Sequence, residues 1–228
     1  MAKTVSDHGT GDGGRLASRT ARRERRRDRS REEILAAARA VLLRSGVAAM
    51  TLDAVAREAG MSKTGLYYYF ASKDALVFEL VYAALEGQAR AVEAAVESAR
   101  GGAEALAAIV RGTVASYAPR LDDFRLAFMF GQVAGSGAMH WDAEQFSRLR
   151  PLNDLCLAGA AKRLREEREP TRSRARVEPR LLAFLAYLAA VGLLTVKGMV
   201  EQVEDPLLYS DEQLIEGFAK VFKAAASA

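Results

Sequence analysis

A helical spacing of apolar residues recurs along this chain, and no stretch sustains the alternation that a half-buried strand requires. All five prolines lie at or after Pro119, so nothing in the first 118 residues forces a helix to break. Leu76, Val77, Leu80, Val81 and Ala84 make one stripe, and Leu106, Ile109, Val110, Thr113, Val114 and Tyr117 make another. Ser30-Arg31-Glu32-Glu33 and Ser210-Asp211-Glu212-Gln213 read as capping boxes that open helices. Gly46, Gly101-Gly102 and the loop at Gly135-Ser136-Gly137 read as breaks, and a helix is expected from Trp141 to Glu169. The helix at 180–203 is apolar nearly all round, which predicts cover on most sides. The last helix should turn Leu214, Ile215, Phe218, Val221 and Phe222 inward. The expected class is all-α, with about nine helices.

Charge divides the chain further. Residues 1–75 carry 15 Lys+Arg and 9 Asp+Glu, a net of +6, whereas residues 76–228 carry a net of −2. Within the basic part, Arg15–Arg31 holds nine arginines and two acids. Residues 1–20 are rich in Gly, Ser, Thr and Asp without apolar periodicity, so residues 1–28 are expected to form a disordered basic arm. Such a cation run suits an anionic partner, and Arg25, Arg26 and Arg27 are its candidate phosphate contacts. A second basic stretch, Lys162–Arg180, has no function assigned to it and reads as a solvated helix end and loop.

The text between Thr51 and Phe70, TLDAVAREAGMSKTGLYYYF, is the most informative segment. Thr51 can cap a short helix whose apolar face is Leu52, Val55 and Ala56. Gly60 supplies a tight turn and Ser62 caps a second helix that buries Leu66 and Phe70. Lys63, Thr64, Gly65, Tyr67, Tyr68 and Tyr69 are left for the exposed side. Two helices joined by a glycine turn describe a helix-turn-helix, whose second helix enters a major groove.

This segment and its flanks resemble the tetracycline-repressor (TetR) family of bacterial regulators. The resemblance rests on Ile34-Leu35, Ala38, Gly46, Thr51-Leu52, Val55-Ala56, Ala59-Gly60-Met61-Ser62-Lys63, Leu66-Tyr67-Tyr68-Tyr69-Phe70, Ser72-Lys73 and Leu76, covering 31–77. It implies a three-helix DNA-binding head at 29–75 and a ligand-binding and dimerisation domain at 76–228. It implies a homodimer on a palindromic double-stranded DNA operator, most often a repressor released by a small effector. Lys63 and Thr64 match positions that read base edges, with Gly65 the next contact position. Tyr67 and Tyr68 match phosphate or thymine-methyl contacts, Thr51 and Lys73 match backbone-phosphate contacts, and Tyr69 matches a position that contacts phosphate or packs against the head. Lys63-Thr64-Gly65 departs from the family's usual order of glycine then a polar residue, which bears on base preference.

The resemblance also places an effector pocket among the helices that carry Tyr117, Phe124, Arg125, Phe128, Met129, His140, Trp141, Phe146, Asn153 and Tyr187. Few charges interrupt those faces, which favours an apolar or aromatic effector. Ala186, Ala190, Leu193, Phe218 and Phe222 are the candidate dimer residues. No enzyme constellation, cofactor loop or metal spacing is visible, and the one cysteine, Cys156, forms no intramolecular disulfide. The 16-residue uncharged run Leu181–Val196 falls short of the ~20 residues a membrane span needs, so a cytoplasmic protein without a membrane segment is expected. Two other readings stay open: a DNA-organising scaffold on the same fold, and a helical module that binds protein.

Overall fold

A computed structural model describes residues 11–135, 140–167, 177–200 and 209–227 of the 228-residue chain. The described residues hold nine α-helices and no strand. They fall into two compact units, 1–77 and 78–228. Residues 1–10 of the expected arm, Ser136-Gly137 of the expected loop and the Arg-rich connection at 171–176 lie outside the described residues.

The first unit begins with α1 (Gly11–Ala49), interrupted at Gly46 by a left-handed backbone (φ 72°). Glycine accepts that conformation without the Cβ clash other residues meet. The expected flexible arm is corrected here, because residues 11–28 are helical. So is the Ser30 capping box, because the helix runs straight through it. The segment is rich in Arg, a good helix former, and Arg29 pairs with Glu33 one turn on at 3.1 Å. A helix nucleated by the buried stretch Ile34–Leu42 extends backwards at small cost and needs no apolar face of its own.

Helices α2 (Leu52–Glu58) and α3 (Lys63–Tyr69) complete this unit with the start of α4 (Lys73–Glu97). Its core is Ile34, Ala38, Val41, Leu42, Met50, Val55, Ala56, Leu66, Phe70, Leu76 and Val77, all buried. The Arg44 guanidinium meets Glu58 at 2.8 Å and ties α1 to α2.

In the second unit the most enclosed helix is α5 (Gly102–Tyr117), with ten of its sixteen residues buried. It packs against α7 (Ala143–Glu166), α8 (Pro179–Val200) and α9 (Asp211–Ser227). A short 3₁₀ turn, Ala118–Arg120, leads from α5 into α6 (Leu121–Gly135). Asp142 and Gln145 form a reciprocal capping box that opens α7 two residues after the expected start. Ser210 and Gln213 form the expected box before α9.

Within the single chain α8 is covered on one side only. Ala183, Ala186, Ala190 and Leu194 are fully buried, yet Leu181, Phe184, Leu185, Leu188 and Val196 are exposed. The second set recurs at i, i+3, i+4 and i+7 and continues to i+15, a second apolar stripe left open in the single chain. By length and mean hydropathy, 1.9 over Pro179–Gly198, this helix meets the measure of a membrane span, a measure that the core helix of a soluble protein also meets. Val221 of α9, expected inside, is 63% exposed.

Close approach explains one glycine. A Cβ at Gly102 would lie 2.7 Å from Leu164 Cδ2 and 2.9 Å from a Glu167 carboxylate oxygen. The Gly102 N–H donates to the Glu167 carboxylate at 2.8 Å, so α7 caps the start of α5 from 65 residues away. Gly102→Ala is expected to destabilise the chain by about 1–3 kcal/mol through overpacking, measured as a lower denaturant midpoint at unchanged slope.

Candidate nucleic-acid interface and internal cavity

The turn between α2 and α3 is built from local rules. Thr51 Oγ1 accepts from the Ala54 N–H at 3.1 Å and caps α2. At the other end the Met61 N–H reaches the Ala56 carbonyl at 2.9 Å, and the Gly60 N–H reaches the Arg57 carbonyl at 3.2 Å. This paired closure with Gly60 at φ 65° is a Schellman stop. Ser62 then accepts from the Gly65 N–H at 3.1 Å and starts α3. A Cβ on Gly65 would crowd that Ser62 hydroxyl at 3.2 Å, which gives the glycine a structural reason beside any DNA contact.

Leu66 and Phe70 are buried, so the opposite side of α3 is fixed. Lys63, Thr64, Tyr67 and Tyr68 are exposed on it. Tyr68 is 66% exposed and meets Tyr69 edge-on at 5.2 Å, while Tyr69 is half-buried and Gly65 partly covered. Thr51 is exposed, and Lys73 is partly buried at the start of α4, where Ser72 Oγ accepts from the Ala75 N–H.

Two contacts were not visible in the sequence. Lys63 Nζ lies 2.8 Å from an Asp53 carboxylate oxygen, which ties α3 to α2 and raises the lysine pKa by hydrogen bonding and charge attraction. The Arg31 guanidinium sits 4.8 Å from the Phe70 ring centroid, so this arginine packs on the head core rather than belonging to the arm. Both pairs join residues far apart in sequence but on facing helices, which periodicity alone does not reveal. Helicity also separates Arg25, Arg26 and Arg27: successive residues point about 100° apart, so the three cannot face one surface together.

In the second unit the ten pocket candidates do not converge. Tyr117, Phe124 and Phe128 form an aromatic cluster, with ring centroids 4.7–6.3 Å apart. Burial pushes the Tyr117 phenol pKa up. Trp141 lies edge-on between Phe78 and Phe146 in a separate group, and Phe146 is 55% exposed. Arg125 pairs with Asp122 at 3.0 Å, and His140 is exposed. The Met129 side chain lies outside the described set. Only Asn153 and Tyr187 line the internal cavity, of about 230 Å³, that lies among α4, α7 and α8. With them stand Gln88 and Cys156, which sequence reading missed. No local pattern marks Gln88; its partners come from two other helices.

The dimer candidates are likewise redistributed. Ala186, Ala190, Leu193 and Phe222 are buried inside the protomer, and Phe218 is partly buried against the same core. The small alanines do allow close helix approach, but to the protomer's own helices. Lys197 is ion-paired with Asp211, tying α8 to α9.

A family model described as bacterial regulatory proteins, tetR family, matches residues 34–80, the helix-turn-helix and its flanks. Among solved structures, the chain is similar to a transcriptional regulator from Pseudomonas aeruginosa PAO1. The two share 21% identity at TM-score 0.66, over 87% of this chain and 90% of that one. A TetR family transcription regulator from Marinobacter aquaeolei VT8 is 19% identical at TM-score 0.62, over 88% and 97%. The regulator FadR from Bacillus subtilis, solved with stearoyl-CoA, is 16% identical at TM-score 0.58, over 86% and 97%. At these identities the likeness is one of fold. Comparison with curated proteins returns no match.

Proposed function

We propose that this chain, a member of the TetR family of bacterial regulatory proteins through its helix-turn-helix head, is a cytoplasmic repressor. In this reading it binds a palindromic operator as a homodimer and is released by a small, mainly apolar effector. The observation that carries DNA reading is the α3 surface: Leu66 and Phe70 anchor the helix, and Lys63, Thr64, Tyr67 and Tyr68 project together from its free side. Residues 32–75 carry five Lys+Arg and five Asp+Glu, so affinity depends on where Lys63 and Lys73 stand, on tyrosine hydroxyls, and on α1. The open α8 stripe supports the dimer, because a second copy related by a twofold axis would bury Leu181, Phe184, Leu185 and Leu188 against their equivalents. A ligand that releases DNA does so by binding more tightly to the state whose two heads no longer match the operator.

Selection of random duplexes with the full chain is expected to return an inverted repeat with half-sites about one or two helical turns apart, bound by two copies. Leu188→Glu, at a residue 44% exposed in the single chain, is expected to sediment as a monomer and lose the inverted-repeat preference. Selection of unrelated or single half-sites by a stable dimer would favour a DNA-organising role instead.

A further inference from the structure

The wall of the cavity among α4, α7 and α8 has an unusual composition. Leu85, Leu149, Leu152, Leu157 and Phe184 supply its apolar part, and Gln88, Asn153, Cys156 and Tyr187 its polar part. Among the described residues that line it there is no Asp, Glu, Lys, Arg or His. The titratable pair in the wall stays neutral as well, since burial pushes the Cys156 thiol up to about 11 and raises the Tyr187 phenol. An anion or cation entering here would shed its water and meet no counter-charge, which is costly in a low-dielectric site.

Gln88 is the polar centre of the wall. It is 3% exposed on α4, its Nε2 donates to Thr113 Oγ1 of α5 at 3.2 Å, and its Oε1 accepts from the Cys156 thiol of α7 at 3.8 Å. A carboxamide offers two N–H donors and two acceptor lone pairs. Thr113 uses one donor and Cys156 one lone pair, so one of each remains to be matched among the described residues. A buried amide with unused capacity favours a ligand group that both accepts and donates. The cavity also lies below the roughly 300–1,000 Å³ that drug-sized ligands occupy, which sets the scale of the occupant.

We propose that this cavity takes a small uncharged molecule, apolar over most of its surface, whose one carboxamide- or alcohol-like group hydrogen-bonds the Gln88 side chain with Asn153 at the rim. The proposal rests on reading the C-terminal unit as an effector domain, and it narrows the effector class. The stearoyl-CoA of the Bacillus subtilis neighbour is the opposite kind of ligand, a polyanion with a long acyl chain. Gln88 is then the residue that sets specificity, and because its bonds reach α5 and α7, ligand contact is felt on three helices at once.

The test uses shape-matched pairs on the full chain: benzamide with benzoate, 2-naphthamide with 2-naphthoate, and octanamide with octanoate, titrated by calorimetry without DNA. At least one amide is expected to bind, with its carboxylate about tenfold weaker or worse. Gln88→Leu should weaken that amide by about tenfold. Asn153→Trp, at an exposed position that leaves the core intact, should block it by filling the mouth, and this variant serves if Gln88→Leu does not fold. The proposal is overturned if no amide binds, if carboxylates bind as well as amides, or if binding survives both substitutions. Operator release is scored separately: an amide that binds the cavity without moving the operator equilibrium leaves the cavity assignment standing and refutes the effector-released repressor.

Discussion

Leu66→Ala is expected to abolish operator binding by unfolding the head while the C-terminal unit keeps its own melting transition. Leu66 is fully buried at the centre of α3. Removing its isobutyl group loses transfer free energy and leaves a cavity, a combined cost of about 2–5 kcal/mol. A unit of fewer than 80 residues holds only about 4–12 kcal/mol in total, so the substitution removes a large share of it. The second unit has a separate core around α5, built from Leu106, Ile109, Val110 and the α8 alanines, which this substitution does not touch. Circular dichroism should show a new low-temperature step, and hydrogen exchange should locate it to residues 31–77. A single unchanged melt with full operator affinity would refute the account. Tyr68→Ala makes the contrast, because its ring is mostly exposed: it should weaken binding and leave both melts in place.

The head was legible in the sequence because its rules are local. Thr51, Gly60, Ser62 and Ser210 each act on backbone groups within a few residues, so side-chain type and spacing suffice to place them. The same holds for Leu66 and Phe70, whose shared face follows from a step of four. The second unit was legible only as helices. Periodicity shows that α8 has apolar residues on several sides but not which neighbour covers each side. The small residues Ala186 and Ala190 therefore read as an intermolecular seam, although they seat α8 inside its own protomer and the larger Leu181, Phe184, Leu185 and Leu188 lie open. The cavity was illegible for a stronger reason. Gln88 and Cys156 are 68 residues apart, and only the crossing of α4 and α7 brings them together. The Asp142-x-x-Gln145 box, by contrast, is a local signal of the same kind as Ser210-x-x-Gln213.

Removing residues 1–28 is expected to change how operator affinity depends on salt, and the helical form of the arm makes the size of the change specific. A disordered arm could bend to lay all seven of its arginines along phosphates. A helix cannot, because 3.6 residues per turn distribute them around its axis. Arg19, Arg22, Arg23 and Arg26 recur at i, i+3, i+4 and i+7, and so share one exposed face, whereas Arg25 and Arg27 point elsewhere. If that face follows the DNA backbone, four phosphates per head are neutralised. At about 0.9 per phosphate, deletion should flatten the log–log slope of affinity against salt by about 3 to 4 per head and twice that for two heads. Across a fourfold change in salt, each head would account for a difference of about a hundredfold. The quadruple substitution of Arg19, Arg22, Arg23 and Arg26 by alanine should reproduce the deletion, since alanine keeps the helix. The double substitution of Arg25 and Arg27 should leave most of the slope. Equal losses from both sets would show that the arm acts as a diffuse cloud of charge with no preferred face, and an unchanged slope after deletion would remove it from the DNA interface altogether.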